Sequence, residues 1–114
     1  MANEPTPTTR DVLHDVVAER HRQIELWGHN TDTPDGTGPN VLWASASGTA
    51  GFVEVAFREE YNDHAKSGEP LTWMHFLREE FAEAMQESDP DRLYTELIEV
   101  AAVAVSWCEK LRTR

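Results

Sequence analysis

Four glutamates in the C-terminal half of the chain have the spacing of a carboxylate cluster. Glu80 and Glu83 are three residues apart, Glu96 and Glu99 are also three apart, and residues with this spacing share one face of a helix. Carboxylate oxygens bind hard divalent cations, whereas softer metals prefer Cys or His. The residue types therefore predict a Mg²⁺ site, with Mn²⁺ as the alternative ion.

A helical hairpin over residues 72–111 would bring the two glutamate pairs together. Thr72 is a suitable N-cap for its first helix, and Asp89 and Pro90 suit the cap and first position of the second. The two pairs are equally far from the turn, with one level about 10 Å from it and the other about 14 Å. Antiparallel helices would therefore place the four carboxylates opposite one another.

The second helix of this hairpin is apolar on nearly every side. Glu96 and Glu99 interrupt a run of apolar residues that extends to Trp107 and Cys108, so we expect the helix to be buried. Buried like charges are costly unless a cation compensates them. This cost favours a metal site over a solvated acidic face, although a solvated face would be a sufficient explanation for the first helix alone.

The same residues resemble a known enzyme family. Glu79-Glu80-x-x-Glu83 followed by Glu96-x-x-Glu99 resembles the EExxE…ExxD signature of the all-α, MazG-like nucleoside triphosphate pyrophosphohydrolases. The segments ERHRQIELWG, PDGTG and ELIEVAAVAVSW resemble small actinobacterial and actinophage members. The resemblance covers most of the chain, from about residue 10 to residue 112. One position departs from the signature, because Glu99 stands where the family has Asp.

The resemblance implies a metal-dependent hydrolase that cleaves an NTP or dNTP to the monophosphate and pyrophosphate with a metal-activated water. Its metal ligands would be Glu80, Glu83, Glu96 and Glu99. Glu79 and Glu80 would be the catalytic residues, with Glu79 orienting or deprotonating the water. The alternative is a non-catalytic helical protein that binds nucleotide or metal in a regulatory or interaction role.

Substrate contacts are predicted from charged, aromatic and loop residues near the hairpin. Arginines would contact phosphate, tryptophans would stack on a base, and the long Gly-, Pro- and Asn-rich loop over residues 28–40 would supply a polar contact. An exposed ion pair or core packing is the competing interpretation for each. The candidates are Arg20, Arg22, Trp27, Asn30, Trp43, Trp73 and Arg78.

The remaining pattern predicts an all-α fold of about four helices. Residues 1–8 are expected to be a flexible tail and residues 9–114 a single MazG-like domain. Thr9 is a candidate cap for a first helix that stops at Gly28. A second helix is predicted within residues 41–66, from helical spacing of apolar residues that begins at Ala46, although its glycines weaken the pattern. Because the apolar helix needs more cover than so short a chain supplies, we expect a homodimer or tetramer.

Charge and composition exclude several classes of partner. The chain has 114 residues and a net charge of −11, which argues against binding a nucleic acid polymer or an anionic membrane. Cys108 is the single cysteine and cannot form an internal disulfide. The N-terminus has no apolar core typical of a signal peptide. We therefore expect a cytoplasmic protein.

Overall fold

The computed structural model describes residues 4–41 and 46–112, and these residues form four α-helices without a strand. The helices are α1 (Pro7–Trp27), α2 (Ala50–Lys66), α3 (Trp73–Gln86) and α4 (Pro90–Arg112). This result confirms the predicted all-α class and the number of helices. Within the described residues, none of the helices has the length and apolarity needed to cross a membrane.

The helices α3 and α4 form the predicted hairpin, and both of its caps are confirmed. The hydroxyl of Thr72 accepts a hydrogen bond from the backbone N–H of His75 at 3.2 Å. The carboxylate of Asp89 accepts one from the backbone N–H of Arg92 at 3.0 Å, and Pro90 is the first residue of α4. Each cap satisfies a backbone donor that the helix itself leaves free.

The hairpin lies in the middle of the fold. α2 packs against α3, and α1 packs against α4. All four helices contribute buried apolar side chains, among them Val16, Phe57, Trp73, Ala82, Ala84, Ala102 and Val103. The outer helices thereby hold the two glutamate pairs of the hairpin in position.

The prediction that α4 is buried on every side is wrong for a single chain. Tyr94 is 44% exposed, Leu97 45% and Val105 40%, and Cys108 is also exposed. Leu97, Val105 and Cys108 share one side of α4, whereas the hydroxyl of Tyr94 donates a hydrogen bond to Asp15 of α1. An apolar stripe of this helix therefore faces outward in the isolated chain.

Two predicted helix starts are wrong. α1 begins at Pro7, because the hydroxyl of Thr6, rather than that of Thr9, accepts the capping hydrogen bond. α2 begins only after Thr49, and Gly48 has a φ of 126°, which a helix does not allow. Residues 42–45, including the predicted stacking residue Trp43, lie outside the described residues. The predicted stop of α1 at Gly28 is confirmed.

The loop over residues 28–41 is attached to the hairpin by Asp35. The backbone carbonyls of Pro34 and Asp35 accept hydrogen bonds from the first two N–H groups of α3 at 2.9 and 3.0 Å. The Asp35 carboxylate accepts hydrogen bonds from Trp107 Nε1 at 2.7 Å and from Lys110 Nζ at 2.8 Å. The loop therefore lies across the start of α3 and the end of α4.

Gly36 allows this loop to touch the cap of α3. Its φ is +75°, and a Cβ there would overlap the Thr72 side chain, 2.8 Å from Cγ2. We expect Gly36→Ala to lower the free energy of unfolding by about 2–4 kcal/mol, through backbone strain and a steric clash. Gly68→Ala is the control, because Gly68 has a φ of +84° with nothing within 4 Å. Chemical denaturation showing equal losses for both variants would contradict this account.

Candidate metal centre

The glutamates of α3 and α4 meet across the hairpin. One carboxylate oxygen from each of Glu80, Glu83, Glu96 and Glu99 lies within 4.8 Å of those from the other three. All four side chains are half-buried. The matching distances from the turn, seen in the sequence, thus correspond to a real convergence of side chains.

Two oxygens of this cluster are buried without a partner. Oε2 of Glu80 and Oε2 of Glu96 have no hydrogen-bond donor in the described part of the chain. A buried carboxylate oxygen without a donor is costly. A divalent cation would remove that cost, and an all-oxygen set of four carboxylates suits Mg²⁺ or Mn²⁺. The residues present therefore fit the predicted ion.

The cluster retains protons at pH values where isolated glutamates are ionised. Burial, followed by the charges of Glu83 and Glu99, raises the pKa of Glu80 to about 8. Burial and the charge of Glu96 raise the pKa of Glu83 to about 7. The pKa of Glu96 is raised as well, first by burial and then by Glu99. A bound cation would favour the ionised forms.

A fifth carboxylate, which sequence reasoning missed, borders the cluster. Glu54 on α2 is 9% exposed and accepts a hydrogen bond from Arg58 at 3.2 Å. Its charge helps to raise the pKa values of Glu79 and Glu83, for which burial is the largest cause. Its position in the sequence could have indicated this, because Glu54 is three residues before Phe57 and therefore on the face of α2 that packs inward.

A cavity of about 360 Å³ adjoins the carboxylates. Its wall contains most of the predicted catalytic and substrate-binding residues: Arg20, Trp27, Asn30, Trp73, Glu79 and Glu80. Gln23, Tyr61 and Phe76 also line it and were not predicted. A concave, partly aromatic site of this size suits a small organic ligand.

Arg22 lies outside the wall of this cavity, next to Trp27. Its guanidinium donates to Glu19 at 2.7 and 2.6 Å and lies 5.9 Å from the centre of the Trp27 ring. The pKa of Arg22 is raised, first by the hydrogen bond with Glu19 and to a smaller extent by Glu99 and Glu80. Arg22 is therefore within electrostatic range of the carboxylate cluster.

Arg78 faces away from the cavity. Its guanidinium lies 3.1 Å from Glu60 and 4.3 Å from the centre of the Phe57 ring. Arg78 and Glu80 are two positions apart, which places them about 200° apart around α3. The predicted substrate contact from Arg78 therefore has no support within a single chain.

No protein-family model, curated protein or solved structure matches this chain. What the site can do follows from its own residues. Four carboxylates offer oxygen ligands to a hard cation, and Glu79 lies beside them on the wall of a cavity with aromatic sides. This arrangement can hold a cation, a water molecule and a flat organic group next to one another.

Proposed function

We propose that the protein is a metal-dependent nucleoside triphosphate pyrophosphohydrolase of the MazG-like type, which cleaves an NTP or dNTP to the monophosphate and pyrophosphate. The observation that carries the proposal is the carboxylate cluster, with two buried oxygens that lack donors, beside a cavity whose wall includes Glu80. Mg²⁺ in proteins is typically held by carboxylates together with substrate phosphates. Aromatic walls suit the base of the same nucleotide.

Glu80, Glu83, Glu96 and Glu99 would hold the ion, which when bound neutralises phosphate charge and lowers the pKa of a water molecule. Glu79 is adjacent to these ligands and outside their set. Burial, with the nearby charge of Glu54, raises the pKa of its carboxyl group, which makes Glu79 a better base. In the proposed reaction Glu79 orients the water and takes its proton. The water attacks the α-phosphorus, and the bond from that phosphorus to the pyrophosphate oxygen breaks.

A panel of NTPs and dNTPs, each assayed with Mg²⁺ and with Mn²⁺, tests this function. We expect pyrophosphate to be released only when a divalent ion is present, and we expect a chelator to stop the reaction. A nucleotide that raises Tm only with Mg²⁺ and is never hydrolysed would support the non-catalytic alternative. Release of orthophosphate in place of pyrophosphate would show that a different bond is cut.

The surface of one chain favours a homodimer or tetramer. The chain exposes 8003 Å², whereas a compact monomer of 12.9 kDa exposes about 6,300 Å². Its radius of gyration is 15.5 Å, compared with about 13 Å for a compact domain of this length. Phe81 and Met85 on α3 are exposed as well as Leu97 and Val105 on α4. An exposed apolar surface of this kind suits a second copy of the chain.

We expect light scattering to give a mass of two or four times 12.9 kDa. Val105→Glu places a charge on the exposed apolar stripe of α4 and should shift the mass towards that of one chain. Ala65→Glu adds the same charge at an exposed position of α2 and is the control that should leave the mass unchanged. A monomeric unaltered protein would contradict the proposed assembly.

A further inference from the structure

The side chain of His75 lies at the junction between the loop over residues 28–41 and the start of α3. We infer that His75 is a pH-dependent latch: when its ring gains a proton, the loop is released from the start of α3 and the wall of the cavity loosens. The latch is independent of the proposed hydrolysis, because it uses no carboxylate of the candidate metal centre. It makes the shape of the cavity sensitive to pH on the acid side of neutrality.

The capping box of α3 requires a ring nitrogen of His75 without a proton. The backbone N–H of Thr72 donates to Nδ1 of His75 at 3.1 Å, and the Thr72 hydroxyl lies 2.7 Å from the same nitrogen. In return, the backbone N–H of His75 donates to the Thr72 hydroxyl at 3.2 Å. A backbone N–H only donates, so a proton on Nδ1 would set two donors against each other. Protonation therefore breaks one half of the capping box.

The loop is bound to α3 at the same place. The first two N–H groups of α3 donate to the backbone carbonyls of Pro34 and Asp35. Gly36 lies against the Thr72 side chain, with no room for a Cβ between them. Because the capping box with His75 orients the Thr72 side chain, these loop contacts depend on that box. A change at His75 is thus transmitted to the loop through directly adjacent groups.

The loop also forms part of the cavity wall. Gly28 and Asn30, close to its beginning, line the cavity. At its other end, the Asp35 carboxylate accepts hydrogen bonds from Trp107 and Lys110 of α4, and these bonds do not involve the capping box. The loop therefore stays tethered to α4 while its contact with α3 opens, which makes the change reversible.

The surroundings of the His75 ring disfavour a positive charge while the capping box is intact. The ring of His64 lies against it, with 4.5 Å between centroids. Burial lowers the pKa of its imidazole, the charges of His64 and Arg78 lower it further, and the charge of Glu60 raises it. The N-terminus of a helix also repels a cation. A proton therefore binds more readily once the ring has left the cap, which couples titration to opening.

An open cleft of about 500 Å³ beside α2 and the start of α3 is available to the displaced ring, because His75 lines it. Three carboxylates and a single arginine also line this cleft, so an imidazolium that turns into it is better stabilised than one that stays in the cap. The titratable and charged groups near the ring come from α2, the turn before α3, α3 itself and the loop: Glu60, Asp63, His64, Glu69, Arg78 and Asp35.

Amide hydrogen exchange, measured on the metal-free protein together with an NMR titration of the His75 ring, tests the latch. The N–H groups of Trp73 and Met74 donate to the loop, and their protection factors, which correct for the intrinsic exchange rate at each pH, should fall by at least about tenfold. The fall should have the midpoint of the ring titration, below pH 6.5. The backbone resonances of Asn30 should shift with the same midpoint. The amide of Ala102, in the buried part of α4, is the internal reference and should stay protected.

Three variants separate the latch from other effects of pH. His75→Gln supplies an amide oxygen that accepts from the Thr72 N–H at every pH, as Gln does at this position of a capping box. It should keep the protection seen at neutral pH and abolish the fall. His64→Gln removes a charge that lowers the pKa of His75 and should move the midpoint to higher pH. His14→Gln, on the exposed surface of α1, is the control and should change neither protection nor midpoint.

Constant protection of the Trp73 and Met74 N–H groups through the titration would overturn the latch, as would a ring that stays neutral until the whole chain unfolds. Loss of protection at Ala102 with the same midpoint would show global unfolding and would overturn it too. A fall that persists in His75→Gln would reject His75 as the group responsible. Should that variant fail to fold, an unchanged midpoint in His64→Gln would overturn the latch. Asn30 resonances that do not move would refute the effect on the cavity.

Discussion

Glu80→Gln and Glu96→Gln are each expected to lower kcat for pyrophosphate release by at least about 10²-fold. Each substitution keeps the shape of the side chain and replaces a negative oxygen of the cluster with a neutral amide. The two oxygens of the cluster that lack a hydrogen-bond donor belong to these two residues, so each substitution would take from a bound ion a ligand that no donor occupies. The assay is pyrophosphate release at saturating nucleotide over a range of Mg²⁺ concentrations.

The same variants should give an opposite result for stability. Without metal, at pH 8 and above where the raised pKa values let the cluster ionise, removing one of the four like charges relieves repulsion and should raise Tm. With metal, the variants should lose the rise in Tm that Mg²⁺ gives the unaltered protein. Glu59→Gln, on the exposed surface of α2, is the control and should show neither effect. If Mg²⁺ does not stabilise the unaltered protein, the cluster is not a metal site.

Glu79→Gln separates the role of the proposed base from that of the ligands. This variant should retain the Mg²⁺-dependent rise in Tm, because Glu79 lies outside the four-carboxylate cluster. It should nevertheless lose turnover by about 10²- to 10⁴-fold, which is the usual contribution of a general base. Full turnover by Glu79→Gln would remove Glu79 from the mechanism.

The second large effect is expected in the dependence of folding stability on pH. Without divalent ions, the protein should be most stable at mildly acidic pH and should lose stability as the pH rises towards 8. The pKa of Glu80 is raised from 4.5 to about 8, and that of Glu83 from 4.5 to about 7. Between pH 4.5 and the raised pKa of each group, the folded protein holds a proton that the same group of the unfolded chain has lost. Their contribution to stability is therefore fully present below the unfolded value and is lost as the pH rises through 7 and 8.

The expected loss is on the order of 3 kcal/mol, because each pKa unit corresponds to about 1.4 kcal/mol and solvent screens these half-buried groups. His75 contributes with the opposite sign. Burial lowers its pKa from 6.5, and its ring nitrogen accepts a hydrogen bond from the backbone N–H of Thr72 at 3.1 Å. Its contribution to stability is therefore present above pH 6.5 and is lost as the pH falls through its lowered pKa.

Denaturation at pH 4.5 and pH 8, the limits of the Glu80 titration, measures this dependence with chelator and with Mg²⁺. Mg²⁺ should stabilise the protein far more at pH 8, because the carboxylates that bind it must be ionised. The chelator profile of Glu80→Gln should be flatter than that of the unaltered protein. Equal stability at both pH values in chelator, or equal stabilisation by Mg²⁺ at both, would contradict the account.

The hairpin and its glutamates were determined by local sequence. Thr72 and Asp89 accept hydrogen bonds from N–H groups three residues away, and Glu80 and Glu99 are equally far from the turn between the helices. Such features depend on spacing within about two helical turns, which periodicity reveals directly. The helix class, both caps of the hairpin, the loop after α1 and the convergence of the four carboxylates could therefore be predicted.

The local sequence pattern does not determine where α2 begins. The apolar spacing continues through residues 46–53, but Gly48 adopts a positive φ and Thr49 caps the helix. Spacing alone does not show which of several small polar residues becomes the cap, because the choice depends on how the chain enters the helix. For the same reason, spacing does not show that Thr6, and not Thr9, caps α1.

The cavity and its polar groups were decided by the tertiary structure. Arg20 is bound to Glu109, which is 89 residues away, and Asp35 is bound to Trp107, 72 residues away. Glu54 reaches the cluster from α2, while Arg78 turns to the opposite side of α3. Periodicity indicates that a side chain faces inward, but it does not show which distant group that side chain meets. Those pairings depend on how the helices pack, and packing is a property of the whole chain.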